Sequence, residues 1–348
     1  TFTIGFEESA FNEAIYAKDV AKHLSTDHHE LYITVNDAIS VIPKLPMLYD
    51  EPFADSSQIP TYLVSKLARQ NVTVSLSGDA GDELFGGYNR YMWGSRIWNK
   101  VKWIPPRFRG VLGDAIQKVP VSSWDRAGLS LPDKYIVSSM GDKAHRMAHR
   151  LNTVRSLDDV YHSLVTEGYK EESIVIGNKQ VLKTKLNNCD FVSGIEESEH
   201  RMMLWDSLTY LPDDILTKVD RAAMGVSLET RIPFLDYRVV ELAWRLPLDM
   251  KIKNGVGKYP VRKVLYKYVP KELIERPKAG FAVPVGQWIR GPLREWADDL
   301  LDETRIRREG YFNYKLVNKL WSQHLSGRYD WTPRLWAILM FQAWLDTE

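Results

Sequence analysis

The sequence predicts an α/β fold: a parallel-sheet core in the first quarter of the chain, followed by a mostly helical part. Three observations predict it. From residue 1 to about residue 76, short β-branched or apolar stretches alternate with segments of helical periodicity. The third such stretch runs straight into a glycine-rich acidic turn. From Tyr88 onward strand signals nearly vanish. Strand–helix alternation implies right-handed crossovers and parallel pairing, and ligands of such sheets bind beyond the carboxyl ends of the strands.

The elements follow in order. Thr1 to Phe6 is apolar and β-branched and reads as a strand. From about Phe11 to His23, Ile15, Val20 and Ala21 recur with helical spacing, with Leu24 just beyond. Leu31 to Val35 is a second strand, and a helix is expected from Asn36 to Tyr49. Thr61 to Arg69 is helical, and Val72 to Leu76 forms a third strand. Pro105-Pro106 breaks the chain after a Trp-rich stretch. Near Pro212 a helix is expected, with Asp213 and Asp214 in its first turn and Ile215, Leu216, Val219, Ala222 and Ala223 on one face. The expected organisation is residues 1–90 as the α/β portion and 91–348 as a helical portion packed on it.

The 348 residues hold 46 Lys and Arg against 45 Asp and Glu, so no global surplus of charge argues for nucleic acid or a membrane as partner. One cysteine, Cys189, excludes an internal disulfide and is compatible with a cytoplasmic protein. It reads as a structural residue. No apolar run approaches a membrane span, and no basic n-region of a signal peptide follows Thr1. Twelve tryptophans fit a packed core. His28-His29 lack a third ligand at metal spacing.

The informative run is Ser75-Leu76-Ser77-Gly78-Asp79-Ala80-Gly81-Asp82-Glu83-Leu84-Phe85-Gly86-Gly87-Tyr88. Three carboxylates fall within five positions at a strand end. Unpaired, they repel one another, and a cation or polar substrate among them relieves that. A solvated acidic turn is the simpler alternative; the flanking glycines and Phe85 favour a site.

Residues 77–88 resemble the second active-site motif of glutamine-hydrolysing asparagine synthetases. Asp214-Ile215-Leu216-Thr217-Lys218-Val219-Asp220-Arg221, Ser227 to Asp236, Gly257-Lys258-Tyr259 and Arg276-Pro277-Lys278-Ala279-Gly280-Phe281 agree in order and rough spacing with that family's synthetase domain. The resemblance implies a nucleotide-binding core of the adenine nucleotide alpha hydrolase-like, PP-loop type. It also implies ATP and Mg²⁺ as cofactors, and amide formation by adenylation of a carboxylate followed by attack of ammonia.

The same resemblance assigns roles. Asp79 stands where the family carries an acid, often the longer Glu, that serves adenylate formation and ammonia use. Lys278 matches the catalytic lysine. Ile4, Gly5, Ser77, Gly78 and Lys258 are candidates for ATP, with Arg262 a further phosphate contact on the face of Lys258. Asp82, with Glu83, is the candidate for Mg²⁺. Asp220 and Arg221 are candidates for the substrate pocket. Glu229, Arg231 and Asp236 are expected to fix their loop through buried ion pairs, and Ala80, where Gly is common, is expected to be restricted in φ.

The family also carries an N-terminal glutaminase domain with a cysteine nucleophile, and a Ser-Gly-Gly-x-Asp-Ser pyrophosphate loop. Neither pattern occurs in these residues. The expectation is therefore a synthetase domain lacking its first strand and that loop, inactive by itself, supplied with ammonia by a glutaminase domain elsewhere. A non-catalytic binding or regulatory module of the same fold is the alternative. The identity of the acceptor carboxylate and the existence of a homodimer stay open.

Overall fold

The computed structural model describes residues 1–6, 12–129, 140–166, 173–177, 184–187, 192–275, 283–327 and 329–348. Lys278 and Cys189 lie outside the described residues. The chain is α/β, mostly helical, with small parallel sheets. It divides into two compact units. The first comprises Thr1–Tyr88, Asn188–Pro284 and Ala343–Glu348; the second comprises Asn89–Asn187 and Val285–Gln342.

The first unit holds four described strands in two parallel pairs. Strand β1 (Phe2–Phe6) pairs with β2 (His29–Ile33), in the register Phe2 to His29 and Phe6 to Ile33. The helix Ala14–His23 makes the crossover between them. Strand β3 (Val74–Leu76) pairs not with these but with β4 (Glu229–Arg231), Val74 opposite Glu229 and Leu76 opposite Arg231. No pattern in the sequence points to β4. Glu-Thr-Arg carries no apolar alternation, and the strand is held through its backbone.

The single helix expected over residues 36–49 is three shorter pieces. Val35–Ile39 opens with a reciprocal cap: Thr34 Oγ accepts from Asp37 N at 3.1 Å, and the Asp37 carboxylate accepts from Thr34 N at 2.9 Å. A 3₁₀ turn (Ile42–Lys44) and the helix Leu45–Tyr49 follow. Pro43 and Pro46 explain the division, since neither has an N–H to donate.

The helix Gln58–Arg69 turns Ile59, Tyr62, Leu63 and Ala68 inward. Its partner is the helix Thr217–Met224, which buries Val219, Ala222 and Ala223. Ala68, Ala223 and Leu228 form a small core between them, flanked by Phe2 and Val72. A second core gathers Ala80, Leu84, Phe85, Leu211, Ile215 and Ala243 beneath the acidic run. Strand β3 itself is open to solvent, with Val74 and Leu76 exposed; its carboxyl end is held by the turn into the second core at Ala80.

Among its described residues the second unit is helical, apart from one isolated bridge between Val175 and Phe312. Pro106–Lys118 packs along Met140–Thr153. Thr332–Leu345 contributes the buried Leu335, Trp336 and Leu339. No helix among the described residues is long and apolar enough to cross a membrane.

Candidate active site

The ladder between β3 and β4 runs one bond beyond the strands, Ser77 N donating to Arg231 O at 2.8 Å. Ser77 Oγ then donates to the Asp79 carboxylate. Ala80 takes φ +65° and opens the short helix Gly81–Phe85. This left-handed conformation costs an alanine about 1–2 kcal/mol, and the buried methyl sits in the second core as compensation. The helix ends at Gly86, also left-handed at φ +70°. There the chain touches a second loop: Lys258 N donates to Phe85 O at 2.9 Å, and a Cβ on Gly257 would stand 2.0 Å from Gly86 O. Glycine at 257 is thus a requirement of backbone contact.

That contact delivers Lys258 to the acidic run. Its Nζ lies 2.9 Å from Asp82 Oδ2. Lys258 itself is not on a helix but precedes Tyr259–Leu265 in the left-handed region, φ +56°. Arg262, inside that helix, donates to Gly257 O at 3.0 Å and pairs with Glu275 at 3.1 Å.

Asp82 and Glu83, adjacent in sequence, differ sharply in environment. Asp82 keeps about a fifth of its side chain exposed. Glu83 is buried and accepts from Tyr88 Oη at 2.7 Å. Burial raises the Glu83 carboxyl above its ordinary range, outweighing the Tyr88 hydrogen bond, and burial with the facing Glu83 raises Tyr88 as well. As a donor set for Mg²⁺ the run offers at most the single carboxylate of Asp82, which is partly exposed but has one oxygen paired with Lys258 Nζ. Glu83 does not fit: it is enclosed and its oxygen is taken by a tyrosine. Among the described residues no group of three or more His, Cys, Asp or Glu is placed to hold a metal.

A cleft of about 650 Å³ opens beside the end of β3. Ser77 and Asp79 line it, with Ser57 and Thr61 of the neighbouring helix region, and with Lys218 and Val219. Lys218 is the one basic side chain among its described lining residues. The lysine is itself enclosed. Nζ donates to Asp55 Oδ2 at 2.6 Å and stands 4.0 Å from Asp214 Oδ1. Asp55 also accepts from Ser57 N and Oγ, each at 2.8 Å. Burial alone would raise Asp55, but the Lys218 charge and these hydrogen bonds prevail and hold it below the usual carboxylate range. Asp214 goes the other way. Burial, then the neighbouring Asp55, push its carboxyl up to about 7 against the pull of Lys218. Asp214 comes from a π-helical stretch, Leu211–Leu216, with Pro212 at its start, where Thr217 Oγ donates back to Pro212 O at 2.9 Å. Such wide turns are frequent at functional sites.

The structure thus sets Ser77 and Asp79 on the wall of the cleft and, further along the motif, pairs Asp82 with Lys258. It does not bring Ile4 or Gly5 to the cleft; Thr1 and Phe2 of that segment line it instead, while Ile4 is core and Gly5 lies against the Tyr32 ring. Gly78 has open space around it. Asp220 and Arg221 are exposed, and Arg221 pairs with Asp50 at 2.9 Å. Their neighbours Lys218 and Val219 face the cleft, one helical face away. The ion pairs expected to be buried are not: Glu229–Arg231 and Asp236–Arg238 are both largely solvent-facing, the latter capping the helix Tyr237–Arg245. Sequence reasoning missed Asp55, Asp214 and Lys218 as a cluster. The four-residue spacing of Asp214 and Lys218 was a usable signal; Asp55, 163 positions from Lys218, offered none.

The sequence model of the asparagine synthase family matches residues 1–346. Asparagine synthetase [glutamine-hydrolyzing] 1 of Bacillus subtilis (strain 168) is 30% identical over 349 residues, covering 99% of this chain and 51% of its own length. A putative asparagine synthetase [glutamine-hydrolyzing] of Mycobacterium tuberculosis (strain ATCC 25618 / H37Rv) is 31% identical over 350 residues, covering 99% and 50%. The asparagine synthetase [glutamine-hydrolyzing] of Bos taurus is 23% identical over 361 residues, covering 97% and 45%. The chain spans about half the length of these curated relatives.

Proposed function

We propose that this chain, which belongs to the asparagine synthase family, carries the synthetase chemistry of an ATP-dependent amidoligase, with aspartate or a related carboxylate as acceptor. A carboxylate oxygen of the acceptor attacks the α-phosphorus of ATP and pyrophosphate leaves. Ammonia then attacks the acyl carbon, the C–O bond to the phosphate breaks, and AMP departs with a proton released. The relatives are named glutamine-hydrolysing, and on this reading a glutaminase domain supplies the ammonia. The core is read as a PP-loop nucleotide fold.

The observation that carries the reading is the pairing of Ser77 and Asp79 at the carboxyl end of a parallel strand, on the wall of the cleft. The Ser77 hydroxyl holds the Asp79 carboxylate in one orientation. Asp79 then faces the space where acceptor and ammonia meet, and can take a proton as the C–N bond forms. Lys258 and Lys278 are assigned to anionic charge on the phosphates. Asp82 is the residue assigned to Mg²⁺, which when bound would offset that same charge.

The test is ammonia-dependent amide formation by the whole protein, followed as AMP and amide, with aspartate as first acceptor. Asp79→Asn keeps the shape and the hydrogen bond and removes the base. It is expected to lower the rate by about 10²–10³-fold with the far-UV spectrum unchanged. Wild-type rates in that variant would remove Asp79 from the chemistry.

A further inference from the structure

We infer that the Asn89–Val101 and Pro106–Lys118 helices, with the turn between them, form a peripheral docking surface for an anionic phospholipid membrane. The inference is independent of the amidoligase reading. Between Glu83 and Asp114 the sequence carries no acid and six basic residues, Arg90, Arg96, Lys100, Lys102, Arg107 and Arg109. The near-zero charge of the whole chain hides this local run. Arg109 is spent on structure: it is buried and donates to Val154 O at 3.0 Å. Arg96, Lys100, Lys102 and Arg107 are exposed.

The apolar side chains here are exposed in an ordered pattern. On the Pro106–Lys118 helix, Arg109 and Gly113 face the Met140–Thr153 helix, so closely that a Cβ on Gly113 would stand 2.7 Å from Ala148 O. Phe108, Val111 and Leu112 recur three and four apart on a different face. They are 68%, 68% and 47% exposed. Trp103, in the turn, is 80% exposed, with Lys102 Nζ 5.5 Å from its ring. Burying this face in the protein would need a partner that no described residue provides. The first acid beyond the run, Asp114, is engaged by Asn152 Nδ2 at 2.9 Å.

An apolar helical face, a tryptophan at the tip and lysines around them match the requirements of an interfacial segment. Such a segment inserts aromatic and aliphatic side chains to headgroup depth and sets its ammonium groups against lipid phosphates. Each basic residue near an anionic leaflet adds about fivefold to partitioning. The opposite net charge of the lipid surface makes it the occupant that fits, since an apolar protein partner would not call for a run of cations without a single acid.

The test is co-sedimentation of the whole chain with vesicles. Binding is expected to phosphatidylcholine vesicles that contain phosphatidylglycerol, weakening as salt is raised, with little binding to phosphatidylcholine alone. Trp103→Ser with Phe108→Ser is expected to abolish it. Lys100→Gln with Lys102→Gln is expected to lower partitioning by about fivefold per charge and to flatten the salt dependence. These are exposed positions, and circular dichroism checks the fold; should the serine pair unfold, the glutamine pair decides. No sedimentation with anionic vesicles, equal binding to neutral ones, or wild-type binding by a folded variant would each overturn the inference.

Discussion

At the residue scale, the chemistry of the candidate site rests on which carboxylates are enclosed and which are paired. Lys218 neutralises Asp55 in a place where neither is well solvated. Lys218→Met is expected to cost about 3 kcal/mol or more, because it strands a buried carboxylate. Adding Asp55→Asn should recover part of the loss, and urea unfolding of the two variants measures both. Asp214 carries the pH dependence. Its folded carboxyl is pushed up to about 7, above the unfolded value of about 3.9, so the fold favours its protonated form. The stability it lends is fully present below about pH 4 and is lost as pH rises through about 7. Asp214→Asn removes that loss. Relative to wild type, it should therefore be more stable at pH 8 than at pH 4, by denaturant unfolding at each pH. An equal difference at both values would show that Asp214 does not titrate as described. Ser77 and Asp79 stood out in the sequence because both lie inside one contiguous motif, though their pairing did not. The Asp55–Lys218–Asp214 cluster was not legible there, because a helix pairing assembles it from distant segments.

At the scale of elements, two backbone loops meet at glycine and thereby place a lysine beside the acidic run. Gly257→Ala sets a methyl against the Gly86 carbonyl oxygen, which backbone cannot yield without moving the whole loop. A loss of about 1–3 kcal/mol is expected, seen as a lower urea midpoint, with the Asp82–Lys258 pair displaced. A neutral result would mean that the loops separate without cost. The same scale shows where pattern reading works. The strand expected over residues 1–6 is found at Phe2–Phe6 and the helix expected over 61–69 at Gln58–Arg69, whereas the strand expected over Leu31–Val35 forms two residues earlier, at His29–Ile33. The helix predicted over residues 36–49 failed at its two prolines. Strand β4 went unseen because its three residues bury no apolar face and derive their conformation from β3. Asp220 and Arg221 lie on the exposed side of the helix Thr217–Met224: helical phase is fixed by packing against Gln58–Arg69, which the local sequence does not disclose.

At the scale of the whole molecule, a family match across nearly the full chain and a cleft at the carboxyl end of a parallel strand both support the proposed amidoligase reading. The central claim is that the acceptor carboxylate is activated as an adenylate, and that claim has a signature in the atoms. When ammonia displaces AMP from the acyl carbon, the bridging oxygen leaves with the phosphate, and that oxygen began in the acceptor. The direct measurement is amidation by the whole protein of an acceptor labelled with ¹⁸O in its carboxyl group, with AMP recovered and weighed by mass spectrometry. One ¹⁸O in the AMP for each amide formed is the predicted result. Amide formed with unlabelled AMP, or with the label in inorganic phosphate beside ADP, would contradict the account.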